Sequence, residues 1–101
     1  MASETEAAQQ LMYHVCVELD NCRRTDKESS IVQWFATEMA ERVTSDCLQI
    51  LGCTDYTKLH PMERYWRDAR LTKIFQGTSE IQLCINTDRM LGRPTDRKKR
   101  P

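Results

Sequence analysis

The chain reads as an all-α protein: an antiparallel helical bundle of two long and two short helices. Apolar residues recur at three- and four-residue steps through two long stretches, the mark of a helix with one buried stripe. Hydroxyl residues followed three places on by Glu or Gln stand where helices should begin, and Gly or Pro stands where they should stop. No run alternates apolar and polar residues as a half-buried strand would. With 101 residues, one small domain is expected, burying roughly 60–65% of its unfolded surface around a single modest core.

Ser3 with Glu6 forms a capping box that satisfies orphan amides in a first turn, so a first helix is expected over 3–24. Ala8, Leu11, Met12, Val15, Leu19 and Cys22 give it one apolar stripe. "RRTDKE" breaks the pattern, and Thr25 with Glu28 opens a second helix. Its stripe is Val32, Phe35, Ala36, Met39, Val43, Cys47 and Ile50, and Gly52 ends it as a C-cap glycine would. Two long amphipathic helices with a short link should pack antiparallel. After the loop "GCTDYTKLH", Pro61 suits a first helical position, where a missing N–H costs nothing. "PMERYWRDARL" is then a short charged helix, with Tyr65 and Trp66 to anchor it and Glu63–Arg67 as an i,i+4 pair. Ser79 with Gln82 caps a last helix through Ile81, Leu83, Ile85 and Met90 to Gly92, and Pro94 forbids its continuation. These helices make one unit over 1–92, with a basic disordered tail over 93–101.

Composition excludes several classes. Fifteen basic and fifteen acidic residues leave no net charge. The only basic concentration is "RPTDRKKRP", which reads as a solvated tail rather than a nucleic-acid or nuclear-import signal, because no basic stripe is interleaved with aromatics. Five cysteines at irregular spacing, with no CxxC, argue against zinc and against a disulfide framework. They read as reduced thiols packed as small hydrophobes in an intracellular protein. The polar opening "MASETEAAQQ" is no signal peptide, and no apolar run spans a bilayer. A soluble protein is expected, cytoplasmic, or mitochondrial in a eukaryote.

Three loops could carry chemistry. Gly77-Thr78-Ser79 opens a helix, where free amides and the positive dipole end favour an anion, or simply make an ordinary capped start. Gln49, near a helix end before Gly52, could present its amide to a polar ligand; Asp55 nearby would repel a phosphate. His60 is expected at a cap or on the surface. There is no Ser-His-Asp set, no metal cluster and no Walker-type loop.

Taken together, these loops resemble a known family. "LQILG", "HPMERYWRDARL" and "TKIFQGTSEIQ" stand in the order and spacing of the acyl-CoA dehydrogenase motifs Q-I-x-G-G-x-G-Y, Y-P-x-E-R-x-x-R-D-A-K and I-x-E-G-T-S-E-I-Q. "WFATEMAERVTSDCLQ" resembles the family's long helix just upstream. The resemblance is to the later part of the C-terminal helical domain. The N-terminal helices, the β-domain and the first long helix of the bundle have no counterpart here. It implies FAD as cofactor, an acyl-CoA thioester as substrate, and removal of an α-proton by a carboxylate while the flavin takes the β-hydrogen as hydride. It implies that Gln49 and Gly52 face the dinucleotide of a neighbouring subunit, that Thr78 and Glu80 contact FAD, and that Phe75 lines the acyl pocket. Arg67 and Asp68 match a structural "RDA".

Two departures stand out. Cys53 and Asp55 replace glycines of the G-G-x-G turn, which would hinder close approach of the backbone to a diphosphate. Gln76 occupies the position where many members carry the catalytic glutamate, and an amide cannot accept the α-proton. The expectation is a C-terminal piece of an acyl-CoA dehydrogenase, inactive by itself and dependent on the remaining domains or on a homo-oligomer. The alternative is a non-catalytic helical oligomerisation or interaction module derived from that family.

Overall fold

A computed structural model describes residues 1–54 and 56–92. Asp55, expected to repel a phosphate, and the segment 93–101, expected to be a disordered tail, lie outside the described residues. Within them the chain forms four α-helices and no strand: α1 (Ala2–Asp20), α2 (Asp26–Leu51), α3 (Met62–Thr72) and α4 (Ser79–Met90), with a 3₁₀ turn at Gly52–Thr54. The all-α expectation of two long and two short helices holds.

Specific pairs fix the directions. The Arg42 guanidinium meets the Glu4 carboxylate at 2.7 Å, and Met1 Sδ lies 4.0 Å from Cys47 Sγ. The start of α1 therefore sits beside the second half of α2, and the two run antiparallel. Arg70 of α3 reaches Glu41 at 3.3 Å; Ser79, at the start of α4, reaches Glu38, and Arg89, near its end, pairs with Asp26. So α3 runs back along the second half of α2 and α4 continues along the first half. Among the described residues α2 packs against each of the other helices, and no other two helices pack together.

The result is one row of helices rather than a closed bundle, 55 × 33 × 20 Å. Its thinnest dimension is about two helix diameters. Its radius of gyration is 17.0 Å, against about 13 Å for a compact chain of this length. Among the described residues only Ala8, Val15 and Ala69 are buried apolar side chains. In α2 the buried polar residues Ser30 and Thr37 donate to their own helix, at Asp26 O (2.9 Å) and Gln33 O (2.8 Å). That satisfies them without a partner from another element.

The expected stripes are thus only partly covered. Met12, Leu19 and Cys22 are exposed, because among the described residues α1 packs on α2 alone; Ile50, near the end of α2, is exposed as well. The cysteines are free, as expected, but they are not packed as small hydrophobes: Cys16, Cys22, Cys53 and Cys84 are exposed.

Helix ends also differ by a few residues, each for a local reason. Helix α1 starts from Met1 as N-cap, with Thr5 Oγ1 donating to Met1 O at 3.1 Å, and Ser3 lies inside the first turn. It stops at Asp20, short of 24, because Cys22 turns into the left-handed region at φ +56°. Cys22 N–H then donates to Leu19 O and Arg23 N–H to Glu18 O, the bond pattern of a Schellman stop. Thr25 is the N-cap of α2, but its side chain makes no cap bond; its Oγ1 accepts from Ser29 Oγ. Pro61 is the N-cap of α3 rather than its first helical residue. In α4 the cap is Thr78, not Ser79: Thr78 Oγ1 accepts from Ile81 N–H at 3.4 Å, while the Ser79 hydroxyl turns to Glu38 at 3.3 Å. Gly52 ends α2 as expected, at φ +68°.

Candidate functional site

The α3–α4 loop holds Phe75, Gln76, Gly77, Thr78 and, at the first turn of α4, Glu80. Helix α3 unwinds through Lys73 N–H to Arg70 O and Ile74 N–H to Leu71 O. The chain then takes two consecutive left-handed residues, Gln76 at φ +53° and Gly77 at φ +102°. Glycine does this freely; for glutamine it costs about 1–2 kcal/mol. A Cβ at Gly77 would lie 2.6 Å from Gln82 Nε2, the free end of a flexible side chain that could move aside, so it is the φ of +102° that calls for glycine. The Ser79 N–H closes the loop onto Lys73 O at 3.3 Å. Phe75 and Gln76 are exposed at its tip.

Beneath the loop lies a charged cluster on α2. Lys73 Nζ is 3.0 Å from the Glu38 carboxylate and 2.7 Å from Glu41. The bond from Lys73 holds the Glu41 carboxyl below the usual glutamate range, against a smaller opposing effect of desolvation. The same bond, followed by the one to Glu38, raises Lys73. At the start of α4 the Ser79 N–H and the Ile81 N–H are taken within the protein. What the helix start offers outward includes the hydrogen of the Thr78 hydroxyl, whose oxygen already accepts.

Gln49 and Gly52 stand elsewhere. They line a cleft of about 750 Å³ at the end of α2, with Cys53, Tyr56, Trp66 and Arg67. At Gly52 an added Cβ would meet nothing within 4 Å, so the backbone there is open to approach. Arg67 pairs with Glu63 at 2.9 Å and Arg64 with Asp68 at 3.7 Å, so both "RDA" charges are spent inside α3. Gln49 is eight to eleven residues beyond Glu41 and Glu38, about 12–17 Å along the helix. The structure therefore gathers residues 75–80 in one loop and Gln49 and Gly52 in a separate cleft. His60 is exposed on the loop before α3. Sequence reasoning missed Glu38, Glu41 and Lys73, whose partners lie more than thirty residues away, and Tyr56 and Trp66 as walls of the cleft.

A row of helices that presents a left-handed loop and a separate aromatic-walled cleft along one long helix defines an all-α helical domain. The profile described as "Acyl-CoA dehydrogenase, C-terminal domain" matches residues 1–91, and the chain belongs to that family. It is 42% identical over 93 residues to the short/branched chain specific acyl-CoA dehydrogenase, mitochondrial, of Bos taurus, covering 87% of this chain and 22% of the relative. It is 39% identical over 92 residues to the acyl-CoA dehydrogenase of Bacillus subtilis, covering 91% of this chain and 24% of the relative. It superposes on butyryl-CoA dehydrogenase from Megasphaera elsdenii with a TM-score of 0.86 at 32% identity, over 90% of this chain and 24% of that one. The chain thus spans less than a quarter of the length of these relatives. No helix among the described residues is long and apolar enough to cross a membrane.

Proposed function

We propose that residues 1–92 form the C-terminal helical part of an FAD-dependent acyl-CoA dehydrogenase unit. It works only together with flavin-binding and β-domains. The observation that carries this reading is the loop at 74–80: a strained turn projects Phe75 and Gln76 outward from the row, onto a surface that only a second body can enclose. FAD, when bound, would supply the hydride acceptor. The residues present fit its polar groups at two places, the Thr78 hydroxyl beside Glu80, and Gln49 with the open backbone at Gly52. Phe75 would bound the acyl chain. Gln76 would donate and accept hydrogen bonds there without taking a proton, so this position supplies no general base. The family would put the protein in the mitochondrion or the cytoplasm, as a homo-oligomer.

The second reading, a non-catalytic oligomerisation module, is favoured by the exposed apolar residues along α1 and α4, such as Val17, Leu19, Ile81 and Met90. Grafting tests the first against it. Residues 1–91 replace the matched segment of the Bacillus subtilis relative, and the purified chimera is assayed for bound flavin by absorbance. The proposal expects stoichiometric FAD. A folded chimera that purifies without flavin would favour the module.

A further inference from the structure

The α3–α4 loop holds an unfavourable backbone conformation, and something must impose it. A non-glycine residue in the left-handed region persists only when its surroundings over-determine it. Within the loop, the closing backbone bond from Ser79 N–H to Lys73 O is long, at 3.3 Å. Further tethers come from α2. The Glu38 carboxylate takes the Lys73 ammonium at 3.0 Å on one side and the Ser79 hydroxyl at 3.3 Å on the other. Lys73 and Ser79 are the two ends of the loop, so one carboxylate binds both feet of the turn that lifts Phe75 and Gln76. Glu41 adds a second contact to Lys73 at 2.7 Å and is itself shared with Arg70, so it secures one foot only.

We propose that Glu38 is the positioning residue of the 74–78 loop, clamping Lys73 and Ser79 so that Gln76 is held in its left-handed conformation. Its place on α2, the helix that every other helix packs on, gives the clamp a rigid base. The Lys73 bond is a charge-assisted one, a class roughly twice as strong as neutral bonds; the Ser79 contact, at 3.3 Å, is the longer of the two. The meaning of the clamp for substrate rests on the reading of Phe75 and Gln76 given above; the clamp itself does not.

The test uses the 101-residue chain and reads conformation, so it needs neither flavin nor acyl-CoA. Amide hydrogen exchange by NMR is compared for the wild type, Glu38→Ala, Glu38→Gln and Ser79→Ala. In Glu38→Ala, protection of the Ser79 amide should fall at least about tenfold, and the Gln76 HN–Hα coupling should drift towards an averaged value. Amides of α1 should be unchanged. Glu38→Gln, which keeps an acceptor for Ser79, should restore part of the loss. Ser79→Ala, which spares the Lys73 pair, should loosen the loop by a lesser amount. Unchanged Ser79 exchange and Gln76 coupling in Glu38→Ala would overturn the proposal. So would a uniform loss of protection along the whole chain in both Glu38→Gln and Ser79→Ala, since it would make Glu38 a general prop.

Discussion

Gln76 and Gly77 sit side by side in left-handed backbone, and the two positions should respond oppositely to mutation. Gly77→Ala puts a Cβ at a φ that side chains rarely adopt. It should lower stability by about 1–3 kcal/mol, read as a shift of the urea midpoint with an unchanged slope. The charges beneath them set a pH window. Glu41 is depressed, so its contribution is complete above the ordinary value of 4.5 and is lost as pH falls through the lower folded value. Lys73 is raised, so its contribution is complete below 10.5 and is lost as pH rises past the folded value. The facing groups Glu38 and Arg70 lie in the same cluster. Thermal melts of the wild type should show a plateau between these limits, and Lys73→Met should flatten both the acid and the alkaline flank. A variant that keeps the wild-type flanks would show that the cluster contributes nothing.

Among the elements, α1 depends on α2 alone, and its end is the clearest place to change stability without touching a contact. Cys22 occupies the left-handed C′ position of a Schellman stop, where glycine is usual. Cys22→Gly should raise the melting temperature, by about 0.5–1 kcal/mol of stability; a lowered temperature would count against the stop as described. The same cysteine explains what could and could not be read beforehand. Apolar spacing locates the two long helices, cap and stop residues the two short ones, and Gly52 marks its stop correctly. The end of α1 was placed four residues late because a cysteine, not a glycine or proline, makes the turn. The spacing puts the start of α4 one residue late in the hydroxyl pair: Thr78 and Ser79 are equivalent caps in sequence, and the distant Glu38 decides between them by drawing off Ser79. For the same reason the loop residues Phe75–Glu80 were legible from their motif, whereas Glu38 and Lys73 were not. Local pattern carries no record of a bond spanning thirty-five residues. The depth of the core also escaped prediction, since a stripe shows which face seeks cover and not whether cover exists.

For the whole molecule, the other helices pack on α2 and not on each other, and among the described residues no side chain is fully buried. A core this thin leaves a chain of this size marginally stable. Sedimentation over a range of concentrations should show a mass rising above that of a single chain, as exposed apolar residues such as Val17, Leu19 and Met90 find each other. A stable monomer with a sharp unfolding transition at every concentration would contradict that. The fold also explains how one chain could carry two separated binding surfaces: α2 sets the cleft at Gln49 and Gly52 apart from the loop at 75–80, along a helix of about 39 Å.

The central claim is that position 76 has the shape of a catalytic site without its proton acceptor. It is tested most directly in the chimera with the Bacillus subtilis relative, by comparing Gln76 with Gln76→Glu. Enoyl-thioester formation and exchange of the substrate α-proton into deuterated water are followed with butyryl-CoA at equal bound flavin. The glutamate variant should be faster in both by about 10²–10⁴-fold, the usual contribution of a general base. Equal rates with glutamine and glutamate would contradict the claim.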